Sequence, residues 1–328
     1  SHQLPEARQA VDEALTRDPQ DEQAHLLQAT LDRRQGDTAG AESRFRDLLG
    51  NEKLQTGTRA QAGYELAQLL DGEKQYSAAF DALVATKKLL RPYAKAHLEQ
   101  HQLSLQKNEE LRSTLNRSHY DDWRAAADDD TPYRFAVLTS HPRSGTTLVE
   151  QVLDGHDELK SADEFDVFTQ WVHDPIFRKF PYGTPILSVL EKVPAVVRQQ
   201  ARATYWQNSD ALFAQPLESR MLLDKNPGMT PLLPMVNWAF PEMKMLIALR
   251  DPRDVLLSCF MQKVMLTPIS ACWLSLTDAA EYYACSMNTW LKVRELSTSP
   301  WIEFRYEDVV TDLEQHARKI LAFLDLPW

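Results

Sequence analysis

The sequence predicts an α/β domain with a P-loop-like parallel sheet and flanking helices, preceded by an all-α domain. Three observations predict this. Residues 1–118 are rich in Ala, Leu, Gln and Glu and carry no convincing strand. Beyond residue 132, short apolar runs at 135–139 (FAVLT), 221–223 (MLL), 243–249 (MKMLIAL) and 301–304 (WIEF) alternate with helical patterns. Buried strands alternating with helices are the signature of a parallel sheet covered on both faces. Third, the polar loop SHPRSGTT, residues 140–147, follows the first apolar run and opens a helical pattern at Leu148, Val149, Val152 and Leu153.

At 328 residues, with 43% hydrophobic and 25% charged content, the chain has the composition of a two-domain globular protein. A net charge of −11 argues against broad nucleic-acid binding, so any anion site must be a local Arg/Lys cluster. No run reaches membrane-span length and no signal-peptide pattern opens the sequence. Cys259, Cys272 and Cys285 are odd in number and spaced 13 residues apart, which fits neither a disulfide framework nor a zinc site. Reduced, buried thiols and a cytoplasmic location are expected.

In the helical half, a shift of 38 residues superposes Ala24 on Ala62, Ala29 on Ala67, Leu31 on Leu69, Ala41 on Ala79 and Phe45 on Leu83. Small residues recurring in this way mark close helix–helix approaches. Each unit reads as two helices, with a turn at Gly36-Asp37 in the first. The pattern resembles tetratricopeptide repeats, though the offset exceeds their usual ~34 residues. An irregular helical bundle is the competing reading. A further helix is expected around 94–116, and residues 119–132 form an acidic, polar connector to a domain spanning 133–328.

Ligands of parallel sheets bind beyond the carboxyl ends of the strands, so the residues following each run are the candidate site. The 140–147 loop keeps the spacing of the Walker phosphate loop, with Ser140 for its first Gly and Thr146 for its Lys. Gly145 permits tight curvature, and the amides of Ser144 to Thr147 would meet an anion at a helix start. Arg143 offers a planar fork for non-bridging oxygens. Without the lysine, a ligand carrying less charge at that point than ATP is expected, and a phosphosulfate qualifies. The competing reading is a helix start that happens to contain Ser, Thr and Gly.

Lys225 ends the MLL run, where it reaches the ligand edge or remains a surface lysine. Arg250 ends the MKMLIAL run, and Ser258 lies on the following helix, which Asp251 can cap and Pro252 can open. Arg250 and Ser258 could grip one phosphate, or Arg250 could form an ordinary surface ion pair. Glu164, 21 residues after Arg143, is a candidate general base, with Asp163 the alternative; either could instead cap a helix. Tyr306 could lie along a nucleotide base or belong to the core.

Taken together, PRSGTTL, LRDPRDVLLS, DKNP and FRYEDVV resemble, in this order, the sulfotransferase family, over about 133–328. The stretch DGHDELKSADEF resembles the segment leading to the catalytic acid of tyrosylprotein sulfotransferases, although Ala162 stands where that family has Gly and Asp163 stands for its first acid. The helical half resembles the repeats fused to many bacterial sulfotransferases. The chain ends at FLDLPW, where relatives continue into a segment that covers the nucleotide.

The resemblance implies that 3′-phosphoadenosine-5′-phosphosulfate (PAPS) is the donor, 3′,5′-ADP the product, and no metal takes part. Arg143, Ser144, Gly145, Thr146 and Thr147 would hold the 5′-phosphosulfate. Arg250 and Ser258 would hold the 3′-phosphate, and Tyr306 would contact the nucleotide. Glu164 would act as base and Lys225 would stabilise the leaving oxygen. The acceptor could be a peptide tyrosine, a carbohydrate or a small molecule, because one glutamate does not specify what it deprotonates. The repeats could also hold a protein partner. Two other readings are carried forward: an ATP-dependent P-loop kinase with Asp224 or Asp251 on a metal, and a repeat-based binding protein attached to an inactive enzyme.

Overall fold

Helix follows helix through the first third of the chain. The computed structural model describes residues 4–127, 133–181, 183–213, 217, 220–263 and 265–328, so the connector expected at 119–132 lies partly outside the described residues. Two compact units result: Ser1–His101 with Phe260–Asp278, and Gln102–Cys259 with Ala279–Trp328.

The first unit contains α1 (Leu4–Arg17), α2 (Glu22–Gln35), α3 (Thr38–Gly50), α4 (Thr56–Gly72), α5 (Tyr76–Leu90) and the start of α6 (Lys95–Thr114). The expected turn at Gly36-Asp37 is present. Gly36 closes α2 at φ 87°, and the Asp37 carboxylate accepts from the Gly40 amide to start α3. The α2–α3 and α4–α5 hairpins repeat, and all ten residues superposed by the 38-residue shift are buried. Phe45, Leu48, Leu66, Leu70 and Leu83 belong to their common core, which Phe260 joins.

The second unit carries α7 (Arg117–Ala125), β1 (Arg134–Thr139), α8 (Thr146–Leu153), β2 (Leu159–Ser161), α9 (Asp174–Phe177), α10 (Ile186–Lys192) and α11 (Ala195–Leu212). Then come β3 (Met221–Lys225), α12 (Leu233–Ala239), β4 (Lys244–Leu249), α13 (Pro252–Met261) and α14 (Leu276–Leu296). β5 (Trp301–Arg305), α15 (Tyr306–Thr311) and α16 (Leu313–Phe323) complete the chain. The division between units falls within α6, α13 and α14. In α7, Tyr120 and Trp123 sit three residues apart, hence on one helical face, and both are buried.

The five strands pair in parallel in the order β2-β3-β1-β4-β5. Each face of the sheet is buried, which the alternation of strand side chains makes explicit. Phe135 and Val137 join a core with Leu222, Met245 and Tyr205, whereas Ala136 and Leu138 join Leu223, Leu246, Val149 and Leu153 of α8. The four strands expected from the apolar runs are present. A fifth, β2, is only three residues long and reads LKS, too short and too polar to stand out. With β3 on one side of β1 and β4 on the other, strand order reverses at β1, and ligands of such sheets bind beyond the carboxyl ends at that point.

Candidate active site

The loop from β1 to α8 is anchored at its start. Thr139 Oγ1 donates to the Asn226 carbonyl at 2.7 Å, Thr230 Oγ1 donates to the Ser140 carbonyl at 2.6 Å, and Ser140 Oγ donates to the Ala248 carbonyl. Ser140 therefore ties the loop to the strand at its side. Arg143 adopts φ 73° and Gly145 φ 91°, both left-handed. For an arginine this conformation costs on the order of 1–3 kcal/mol, which the surrounding contacts must overcome. Gly145 has a second reason to lack a side chain: a Cβ there would stand 2.2 Å from Tyr306 Cδ2. Ser144 and Thr146 are buried, while Arg143 and Thr147 are exposed.

Arg143, Arg250, Ser258 and Tyr306 converge. Arg143 Nε donates to Ser258 Oγ at 3.1 Å, and Arg250 Nη1 donates to the Arg143 carbonyl at 3.1 Å. The Arg250 guanidinium lies 4.7 Å from the Tyr306 ring centroid, within cation–π range. The acid facing Arg250 is Asp254, at 3.9 Å, too long for a strong pair. Asp251 instead turns to Arg253, accepting from its amide at 2.9 Å and so capping α13. Arg250 thus reaches the backbone of the same loop from which Arg143 reaches Ser258, and the planar forks of both arginines match phosphate oxygens. The donor set suits an anion.

On the other side of β1, Lys225 is 1% exposed, so the surface-lysine reading fails. Its Nζ meets three carboxylates at 2.9 Å each: Glu150 of α8, and Asp163 and Glu164 just beyond β2. Burial works to lower its pKa, but the hydrogen bonds to Glu150, Glu164 and Asp163 outweigh it and raise it. The hydrogen bond from Lys225 holds the Asp163 carboxyl below its ordinary range. Asp163 and Glu164 are thus bound to a lysine. The neighbouring acid, Asp166, accepts from a downstream amide, that of Thr169, at 3.3 Å.

Arg143, Arg250, Ser258 and Tyr306 therefore form one cluster and Lys225, Asp163 and Glu164 another, on the two sides of the 140–147 loop. Glu150 was missed. It falls four residues after Thr146 within an apolar helical pattern, and only its burial distinguishes it from an ordinary helix surface acid. Ser161 was missed as well: it donates to Glu150 Oε1 and accepts from the Asp163 amide at 3.1 Å. Asp224 belongs to neither cluster. It faces the opposite side of β3, accepts from Tyr205 Oη at 2.8 Å, and is pushed up to about 7 by burial. A carboxyl so enclosed does not face the loop as a metal ligand would. His141, inside the loop, is buried against Tyr282 and Tyr283, and burial lowers its pKa to about 4.

Comparison with known proteins agrees with the motifs. The model of the sulfotransferase family matches residues 136–328. A protein-tyrosine sulfotransferase of Drosophila melanogaster is 26% identical over 196 residues, covering 57% of this chain and 37% of that protein. An uncharacterised protein of Aquifex aeolicus is 23% identical over 296 residues, covering 86% of this chain and 36% of its own length. The chain thus spans little more than a third of these two relatives. Among solved structures, the sulfotransferase domain from the olefin synthase of Synechococcus PCC 7002 is 23% identical, with a TM-score of 0.43 over 62% of this chain and 77% of that one.

Proposed function

The chain belongs to the sulfotransferase family, and on that premise we propose that it moves a sulfuryl group from PAPS to an acceptor hydroxyl. The observation that carries this reading is the pair of clusters on the two sides of the β1 end, with Arg143, Arg250 and Ser258 beside β4 and Lys225 with Glu164 beside β3. The donor supplies an activated sulfuryl group and leaves as 3′,5′-ADP. The amides of Ser144 to Thr147, the Thr146 and Thr147 hydroxyls and Arg143 hold the 5′-phosphosulfate. Arg250 and Ser258 hold the 3′-phosphate, which separates this donor from ATP.

Glu164 Oε1 takes the proton of the acceptor hydroxyl, a contribution of roughly 10²–10⁴-fold in rate. Lys225 Nζ donates to the oxygen that bridges phosphate and sulfate as charge develops on it, worth on the order of 10²–10³-fold. Because Lys225 and Glu164 are in contact, Glu164 must leave the ammonium before it can accept a proton. We place the acceptor among hydroxyls of peptides, carbohydrates or small molecules, and we read the α2–α3 and α4–α5 hairpins as tetratricopeptide-type repeats available to a peptide or protein partner. All three cysteines are buried and outside any disulfide, which suits a reducing compartment such as the cytoplasm. Among the described residues, no helix is long and apolar enough to cross a membrane.

Calorimetric titration of Arg250→Ala tests the reading. Affinity for 3′,5′-ADP should fall much further than affinity for 5′-AMP. Equal losses would remove the 3′-phosphate site, and stabilisation by ATP–Mg in place of 3′,5′-ADP would return the assignment to a kinase.

A further inference from the structure

We propose that Glu150 is a positioning residue for the transfer: from α8 it fixes Lys225 at the end of β3 and, through Ser161, sets the Asp163–Glu164 loop at the end of β2. The inference rests on the sulfuryl-transfer reading for its kinetic consequence, but its geometry stands alone.

An ammonium has three N–H donors, and Lys225 faces three carboxylates. In this arrangement no donor is left for a ligand. The three acids are not equivalent. The Glu150 side chain is 8% exposed and that of Lys225 2%, whereas Asp163 and Glu164 are 73% and 60% exposed. An exposed carboxylate can turn into water at little cost, because water replaces the lost bond. A buried carboxylate cannot, since losing its partner leaves an uncompensated charge in a poorly hydrated site. When an anion enters, Asp163 and Glu164 are therefore the partners that yield. Glu150 stays, holding Nζ in place with its other two donors free.

The second oxygen of Glu150 extends the arrangement. It accepts from Ser161 Oγ, and that same oxygen accepts from the Asp163 amide at 3.1 Å. The Ser161 amide donates to Asp154 Oδ1, just past the end of α8, at 2.9 Å. Asp163 stands at φ 50°, in the left-handed region that aspartate enters more readily than most residues, so the chain turns there while its amide is held by Ser161. One helix, which begins in the anion-facing loop, thus ties down both the proposed base and the proposed leaving-group donor. A salt bridge confined to folding would require only the Lys225 contact; the Ser161 branch points to alignment of the β2 loop.

The test uses Glu150→Gln, which keeps shape and hydrogen bonding but removes the charge. With PAPS and an acceptor hydroxyl, kcat should fall roughly 10- to 100-fold, as when a partner orienting a site group is lost, while donor KM changes little. The groups facing Nζ are Glu150, Asp163 and Glu164, so removing one anion should also move the alkaline limb of the pH–rate profile to lower pH. Ser161→Ala should lower kcat without moving that limb. Independently of turnover, Lys225→Met should lower the melting temperature by stranding Glu150, and the Lys225→Met/Glu150→Gln double variant should recover most of the loss. Additive melting effects, or a Glu150→Gln enzyme with wild-type kcat and pH profile, would overturn the proposal. A wild-type protein inactive with PAPS but showing the expected non-additive melting would instead remove the transfer reading and leave the positioning geometry standing.

Discussion

Gly145→Ala is the sharpest probe of the loop, because two separate costs act at one atom. The backbone sits at φ 91°, and the new methyl would meet Tyr306 Cδ2 at 2.2 Å, Cε2 at 3.0 Å and Cγ at 3.1 Å. Carbon atoms rest about 3.5–4.0 Å apart, so the ring must move by more than an ångström. Alanine in the left-handed region costs about 1 kcal/mol. Forcing the ring aside costs about 1–3 kcal/mol as overpacking. A displaced ring also leaves Arg250, 4.7 Å away, where a partly exposed cation–π contact is worth about 0.5–1 kcal/mol. A total near 3 kcal/mol corresponds to a melting shift of roughly 6–12 °C in a unit of this size. Thermal denaturation by circular dichroism reads this shift, and titration with 3′,5′-ADP reads the loss of loop geometry. In a Tyr306→Ala background the clash is gone, so the added cost of Gly145→Ala falls to the backbone's about 1 kcal/mol. If Gly145→Ala and Tyr306→Ala destabilise additively, the ring does not press on the loop and the close approach has no consequence.

Glu164→Gln should abolish most turnover, by about 10²–10⁴-fold, with affinity for 3′,5′-ADP near that of the wild type; an active variant would pass the base role to Asp163. Asp224 predicts a pH effect on stability. Burial raises its folded pKa from 3.8 to about 7, so between these values the folded state holds the extra proton and stability falls as pH rises. Asp224→Asn, which mimics the protonated acid, should be nearly neutral in melting temperature at pH 4 and stabilising at pH 8. A gain independent of pH would refute the raised pKa.

The strands of the second unit were legible where burial on both faces leaves a run such as MKMLIAL, and the helical pairs where small residues recur at matched positions. Motif residues were legible for a related reason: Gly145, Arg250 and Ser258 sit at fixed distances from strand ends, and those ends announce themselves. β2 was not legible, because three residues reading LKS carry no pattern. Glu150 was hidden by its own helix. One carboxylate in an apolar helical pattern looks like a surface residue until Lys225 is known to lie opposite. The Tyr306 contact with Gly145 was out of reach of any local rule, since it joins a loop after β1 to a helix after β5.

Strand order also accounts for a division of charge that spacing along the chain conceals. β2 and β3 lie to one side of β1, and β4 lies to the other. On the β3 side three carboxylates surround one ammonium, leaving two negative charges unmatched. On the β4 side Arg250 reaches the Arg143 carbonyl, with Asp254 3.9 Å from Arg250 as a weak counter-charge. Asp163 and Glu164 are exposed, so water screens them, and the buried Glu150 is the acid whose charge is felt most at Lys225. An anionic ligand lying across β1 is therefore drawn by its phosphate-bearing part toward the arginines. Whatever part approaches Lys225 also approaches the acids. A terminal phosphoryl group, with its higher charge, meets more repulsion there than a sulfuryl group does. The Walker position that would offset such charge holds Thr146 in place of lysine. Under the sulfuryl-transfer reading, the missing loop lysine and the surplus acids at Lys225 thus favour the same property in the transferred group, a low negative charge, with Thr146 and Glu150 one turn apart on α8.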